Sequence, residues 1–331
     1  MATLKDVAKL ANVDVSTVSR ALNNTSYVHP DTKKRVLKAV KELSYRPNVL
    51  AQGLRQGKRY TIGVVVPKLY FTIFAEILRG IEEKAKDHHY CTLVCSTEDD
   101  PLRERECLNR LRNGFVDGII IAGTGKSGRL LRDMKASGIP LVQIIRNQEN
   151  AISSVVADYE TGAYQAVRYL FEKGCREIGF INGALNLRPY HDRYKGYAAA
   201  MKRLELEEIC PQDTEIQEDF TYGFQCAEEL LNKYPFLDGL IASNDILGMG
   251  AIRAINKNKR KIPDEVKLIS LNGHSVGEML QISMTSMEIP AALIGEKAME
   301  LLLEEMQEKE KQKQPAKHLV FNTTLVERES T

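Results

Sequence analysis

No stretch of this chain approaches 18 consecutive apolar residues, which excludes a membrane-spanning helix. The N-terminus carries a polar helical pattern in place of a secretion signal's apolar core, so a cytoplasmic protein is expected. Six cysteines (Cys91, Cys95, Cys107, Cys175, Cys210, Cys226) form no CxxC pair, and none has a His at zinc-finger spacing. Scattered through apolar runs, they read as reduced core thiols, and neither a metal nor a cofactor is expected. A phosphate-gripping loop is also missing. Gly123-Thr124-Gly125-Lys126-Ser127 ends like one, but the first glycine it needs, five positions before Gly125, is Ile120. This segment reads as a strand-to-helix turn. His88 and His89 are adjacent at a polar helix end, face different directions and read as surface. No Ser-His-Asp set or glycosidase-like carboxylate pair stands out, so no enzyme is expected.

What is present is a marked asymmetry of charge. The first 59 residues hold twelve Lys and Arg against four Asp and Glu, a surplus of +8, whereas the whole chain is +2 and the remainder −6. A basic module on a mildly acidic body suits a polyanion partner, because each cation near a phosphate releases condensed counterions. Within 1–46 three short amphipathic helices are predicted. Leu4, Val7, Ala8 and Ala11 make the first stripe, ended by Asn12. Val15, Val18, Ala21 and Leu22 make the second, capped by Asp14 or Ser16. Pro30 and Asp31 open the third, with Val36, Leu37, Val40 and Leu43 inward. Helix, tight turn, helix is an arrangement whose second helix enters a major groove, and Ser16, Thr17, Ser19 and Arg20 suit that position. A plain three-helix cap with a solvated basic face would show the same helix pattern.

The stretch resembles the N-terminus of the lactose-repressor (LacI/GalR) family of bacterial transcription regulators. Residues 3–55 carry the likeness, including Tyr45-Arg46-Pro47-Asn48 and Ala51-Gln52-Gly53-Leu54-Arg55, and it continues to Leu325-Val326-Glu327-Arg328-Glu329-Ser330. The resemblance implies DNA contacts from Thr3, Lys5, Val15, Ser16, Thr17, Ser19, Arg20, Asn23, Asn48, Ala51, Leu54 and Arg55. It makes 47–60 a hinge helix and linker, with Leu54 wedged into the minor groove, where an apolar side chain unstacks one base step and bends the duplex. Asp14 departs from the Ser usual in the family. It caps as well, but its charge weakens a nearby phosphate contact. A hinge of about eight residues containing Gly53 is too short to be stable alone, and should form only against its twin and DNA. A homodimer on a pseudo-palindromic operator follows. No leucine-heptad tail follows the charged 300–317 segment, so a tetramer has no basis.

From Thr61 onward, Val/Ile/Leu runs alternate with helical patterns. Strands are expected at Ile62–Pro67, Cys91–Cys95, Gly118–Ile121, Leu141–Ile145, Glu177–Ile181, Gly239–Ala242 and Val266–Leu271, with a helix from Phe74 to Lys86. The fold class is α/β: an all-α helix-turn-helix headpiece followed by parallel sheets covered on both faces. The resemblance implies two periplasmic-binding-protein-like lobes, 61–158 plus 290–319 and 159–289 plus 320–331. Crossovers would fall near Asp158, Ile289-Pro290 and His318–Phe321.

A cleft where strand ends face each other would hold a small ligand. Alignment to the family puts Tyr70, Phe74, Arg146, Arg193, Phe220, Asn244, Asp245, Asn272 and His274 there. Amides, a carboxylate, a fork-shaped Arg and an aromatic face suit a polyhydroxyl compound. Phe74 is equally readable as core, Arg193 as a surface ion pair and Asp245 as a helix cap. Two departures matter. Phe71-Thr72 stands where the family often has Asn-Pro, and Asn272-Gly273-His274 where it usually has Asp-Asp. A phosphosugar or sugar acid, balanced by His274, Arg193 and Arg146, and a neutral carbohydrate both remain open. The expected function is a DNA-binding repressor of carbohydrate-utilisation genes under a sugar-type effector. Two alternatives are a global carbon-control regulator with a protein corepressor and a nucleobase-responsive regulator.

Overall fold

A computed structural model describes residues 2–23, 26–45, 58–211, 219–273, 275–308 and 315–331. The chain divides into two compact units, Met1–Arg59 and Tyr60–Thr331.

The first unit holds α1 (Leu4–Ala11), α2 (Val15–Asn23) and α3 (Pro30–Glu42). Helices this short are marginal in water, so their ends and their packing must hold them. At α1, the Thr3 hydroxyl accepts from the Asp6 amide at 3.3 Å while the Thr3 amide donates to the Asp6 carboxylate at 2.8 Å. This reciprocal box satisfies two otherwise orphaned donors and holds the Asp6 carboxyl below its usual range. Asn12, left-handed at φ 52°, ends the helix. Val7, Ala8, Ala11, Val18, Ala21, Val36 and Ala39 form the core. Leu37, expected inward, is 49% exposed. Val36, Ala39, Val40 and Leu43 share one face at a period of 3.6, and a residue one step from Val36 is turned about 100° away.

The second unit contains two sheets. The first comprises β1 (Thr61–Val66), β2 (Cys91–Ser96), β3 (Gly118–Ile121), β4 (Leu141–Ile144), β5 (Ser153–Ala157) and β10 (His318–Phe321), in the order β10-β5-β4-β3-β1-β2. Every neighbouring pair is parallel. The second comprises β6 (Ile178–Ile181), β7 (Gly239–Ala242), β8 (Lys267–Ser270), β9 (Thr285–Glu288) and β11 (Thr324–Val326), in the order β11-β9-β8-β7-β6. Only β11 runs antiparallel there. Helices α4 (Thr72–Asp87) and α12 (Ala291–Glu308) cover one face of the first sheet, and α5 (Pro101–Arg112) and α6 (Gly128–Ala136) the other. On the second sheet α7 (Tyr159–Glu172) and α8 (Arg188–Arg203) lie opposite α9 (Phe220–Lys233) and α10 (Asp245–Lys257), and α11 (Ser275–Glu278) links β8 to β9. The period of two is legible in β1, where Val64 and Val66 enter one core and Val65 the other.

The strands β5, β9 and β10 were not expected. The chain passes between the sheets three times: after β5, at Ile289-Pro290, and after β10. The last passage, expected at 319–320, falls beyond Phe321, because β10 pairs with β5 through Phe321 and the Asp158 amide donates to the Phe321 carbonyl at 2.8 Å.

Three outer helix pairs approach through glycine. A Cβ on Gly80 of α4 would overlap the Ala292 carbonyl oxygen, and one on Gly295 of α12 that of Ile77. Gly196 plays the same part between α8 and α7, and Gly223 and Gly250 between α9 and α10. Adding one methyl group where backbone already fills the space forces the helices apart. Gly80→Ala is therefore expected to lower unfolding free energy by about 1–3 kcal/mol, measured by urea denaturation. A midpoint equal to the parent's would show that the crossing tolerates separation.

Candidate functional site

Two regions collect the residues singled out from sequence. In the first unit, α2 turns Ser16 and Arg20 to solvent, with Val15, Thr17 and Ser19 half-buried and Val15 packed on the core. Lys5 is exposed on α1. Thr3 is exposed too, but its hydroxyl also donates to the Asp6 carboxylate at 2.7 Å. A shallow cavity of about 300 Å³ beside α2 is bordered by Arg20, Ser26, Tyr27 and Lys33, with Tyr27 85% exposed. Sequence reasoning missed this set, although an aromatic between basic residues was its signal. Asn48, Ala51, Leu54, Arg55 and the Asn23 side chain lie outside the described residues, as does most of the expected hinge at 47–60.

The second region lies where the strand ends of the two sheets face each other. On the first-sheet side, Tyr70 is half-exposed after β1, its ring 4.8 Å from that of Phe71, and the Lys68 ammonium stands over both. Phe74 is buried in the core between sheet and α4, so Tyr70 is the ring left available at this turn. Arg146, after β4, is 3% exposed. Its guanidinium donates to both oxygens of Asp99 at 2.5 and 3.0 Å, and to the Gly123 carbonyl at 3.3 Å. The residue before it, Ile145, adopts φ 61°. A β-branched residue there is strained, and such strain collects at functional sites. The Ile145 carbonyl accepts from the Tyr159 hydroxyl at 3.3 Å, linking the first sheet to α7.

On the second-sheet side Arg193 of α8 is 4% exposed. It donates to Asn272 Oδ1 at 2.5 Å and to the Leu271 carbonyl at 3.2 Å, and stacks against Tyr159 and Tyr190 with its Cζ 4.8 and 5.6 Å from their ring centres. Arg193 is thus not a surface ion pair. Asn244, and not Asp245, caps α10, accepting from the Leu247 amide at 2.9 Å. Asp245 instead accepts from Ser270 Oγ at 2.5 Å and the Gly273 amide at 3.2 Å, fixing the loop that carries Asn272. Arg193, Asn244, Asp245 and Asn272 therefore come together. Phe220, at the start of α9, instead stands 5.8 Å from the Arg253 guanidinium. His274 lies outside the described residues.

Three groups that sequence reasoning missed complete this side: Asn182 after β6, Ser243 after β7, and Tyr190. Asn182 Nδ2 donates to the Tyr190 carbonyl at 3.0 Å. Asn182 Oδ1, Ser243 Oγ and Asn244 Nδ2 are buried and make no hydrogen bond among the described residues. Each such orphan costs roughly 1–3 kcal/mol, a penalty that a ligand's hydroxyls would remove. Asn182 and Ser243 each directly follow a strand's last residue, which was their signal. Electrostatically, buried Arg146 is matched by Asp99, while buried Arg193 is bonded to neutral acceptors. Among the described residues no three His, Cys, Asp or Glu side chains converge as metal ligands would.

Comparison with known proteins agrees with both regions. Residues 3–48 match the family model described as bacterial regulatory proteins, lacI family, and 151–331 match a periplasmic binding protein-like domain. The chain is 32% identical to the ribose operon repressor of Halalkalibacterium halodurans over 93% of its length and 92% of the relative's. It is 32% identical to the catabolite control protein A of Priestia megaterium over 92% of each. A solved complex of the transcriptional regulator CelR with cellobiose superimposes with a TM-score of 0.73 at 26% identity, covering all of both chains.

Burial pushes the Tyr159 hydroxyl up to about 12. A raised pKa means that the folded protein keeps this proton while the unfolded chain loses it near pH 10. The stability Tyr159 contributes is therefore complete below pH 10 and lost as the pH rises through 12, at up to about 1.4 kcal/mol per pH unit. In reducing buffer, urea unfolding at pH 9, 10.5 and 11.5 should show a shallower alkaline decline for Tyr159→Phe than for the parent. Parallel declines would mean that the hydroxyl is not sequestered.

Proposed function

The chain belongs to the lacI family of bacterial regulatory proteins, and from that membership we propose a sequence-specific DNA-binding repressor of carbohydrate-utilisation genes, controlled by a sugar held between its two lobes. The observation that carries the effector half is the cluster of buried, unpaired Asn182 Oδ1, Ser243 Oγ and Asn244 Nδ2 beside the stacked Arg193. Donors and acceptors interleaved with a guanidinium and tyrosine rings answer the hydroxyls and C–H face of a sugar. Small buried groups favour a small molecule over a protein corepressor docking on the outside.

The effector is a neutral sugar and not a phosphosugar or sugar acid. Of the two buried cleft arginines, Arg146 is already neutralised by Asp99 and Arg193 Nη2 is already held by Asn272 and the Leu271 carbonyl, so neither is a spare cation for a dianion. Names of relatives agree with this class: one represses a ribose operon, and the solved neighbour holds cellobiose. The exposed Ser16 and Arg20 of α2 read the operator, and two copies meet on a near-palindrome. The relatives are transcriptional regulators. This chain acts in the cytoplasm as a regulator without catalysis. No described helix is long and apolar enough to cross a membrane.

The test is an operator titration at fixed salt, with and without a panel of neutral sugars. One sugar should shift operator affinity in the parent. In Arg193→Ala that sugar should bind about 10- to 100-fold more weakly, from loss of charge-assisted hydrogen bonds, while operator affinity without sugar is kept. Leu54→Ala should show the converse: operator affinity falls at least about tenfold through loss of the groove wedge, and sugar binding is retained. Indifference of operator affinity to every sugar would overturn effector control.

A further inference from the structure

The segment Gly123–Ser127, which fails as a nucleotide-binding loop, borders a cavity that the effector cleft does not use. It is about 340 Å³ in volume and lies on the first lobe between the starts of α5 and α6. Its lining includes Arg105, Lys126 and Arg129, with Leu102 and Leu130 as an apolar wall, and one carboxylate, Asp133. None of the three cations pairs with a carboxylate among the described residues. Glu149 also reaches the start of α6, beside Gly128, but its charge is taken by Arg132 at 2.6 and 2.7 Å.

A second observation is independent of the charges. Ser127 occupies the N-cap position of α6, lines the cavity and is only 8% exposed. Its hydroxyl nonetheless makes no capping bond, nor any other among the described residues. Ser127 is thus a largely buried side chain whose hydroxyl opens only on the cavity, at the positive end of a nine-residue helix and beside three exposed cations without a carboxylate partner, and it is free to donate to a ligand there.

The loop is held rigid. Thr124 donates through its amide and hydroxyl to the fully buried Glu104 carboxylate at 2.6 and 2.9 Å, and the Lys126 amide donates to Thr124 Oγ1 at 3.3 Å. Gly125 is left-handed at φ 82°, with Gln148 against the place a side chain would fill. The same loop presents the Gly123 carbonyl to Arg146 in the cleft, so it faces both sites.

We propose that this cavity is a second ligand site, separate from the sugar cleft, which binds the phosphate group of a small phosphorylated metabolite. Ser127 donates to the phosphate, Lys126, Arg129 and Arg105 balance its charge, and Leu102 and Leu130 pack on the carbon body. The cleft's buried arginines are already engaged whereas the cations here are not, which divides two chemistries between two sites.

Calorimetric titration of the full chain in phosphate-free buffer at constant ionic strength tests this, with inorganic phosphate, glycerol 3-phosphate and glycerol as probes. Both phosphates should bind saturably and glycerol should not. Tighter binding of glycerol 3-phosphate marks an ester as the ligand, equal binding marks free phosphate. The double variant Lys126→Ala/Arg129→Ala should weaken either by at least about tenfold, and Ser127→Ala by roughly three- to tenfold. The cleft variant Arg193→Ala should bind phosphate like the parent, and Lys202→Ala controls for net charge. Thermal melting without ligand confirms that each variant is folded. Absence of saturable binding, equal affinity in the double variant, or loss in Arg193→Ala would each overturn the second site. Because no arm contains a neutral sugar effector or DNA, these outcomes are separable from failure of the sugar-controlled repressor.

Discussion

A guanidinium withdrawn from water must have its hydrogen bonds and charge answered on every side, and Arg193 is almost fully withdrawn. That demand organises the second lobe. Asn272 and the Leu271 carbonyl meet Nη2, Tyr159 and Tyr190 meet the flat faces, Asp245 fastens the loop on which Asn272 stands, and buried Nε makes no hydrogen bond among the described residues, a donor left for a ligand. Gly196, three residues along the same helix, lets α8 sit against the Glu160 carbonyl of α7, beside Tyr159. The Tyr159 hydroxyl then reaches the strained Ile145 on the first sheet, next to Arg146. A ligand touching Arg193 is thus two contacts from the other lobe's own buried arginine.

Legibility from sequence followed the strength of the pattern. Central strands such as Thr61–Val66 and Gly118–Ile121 are dominated by Val and Ile, and could be read directly because both faces are covered. Ser153–Ala157 begins with two serines and Thr285–Glu288 alternates weakly, so neither announced itself, although both are largely buried by their neighbours. At the site, Arg193, Asn244 and Asn272 were found through resemblance, while their roles came only with the coordinates. Phe74 went to the core because its helix face is dictated by Ile73, Ile77 and Ile81, and Asp245 lost the capping role to the residue before it. Asn182 and Ser243 were overlooked because a lone polar residue after an apolar run has no period to betray it.

The first lobe handles charge differently. Arg146 is locked to Asp99 and Glu104 to Thr124, so its buried ionic groups are satisfied internally. On its outer side, beside Ser127, the exposed Arg105, Lys126 and Arg129 share one cavity with no carboxylate bound to them among the described residues. One rigid turn separates these two electrostatic regimes, and Gly125, left-handed at φ 82°, lets its backbone pass Gln148 where a side chain would collide.

The threefold passage of the chain between sheets bears on how the molecule is made. α12 and β10, which complete the first sheet's layers, follow β6 to β9 in the chain. A nascent chain that has delivered β1 to β5 therefore owns an unfinished sheet whose edge at β5 stays bare until the neighbouring lobe has been synthesised. The halves mature together, and a lesion in either should lower the melting of both as one cooperative block.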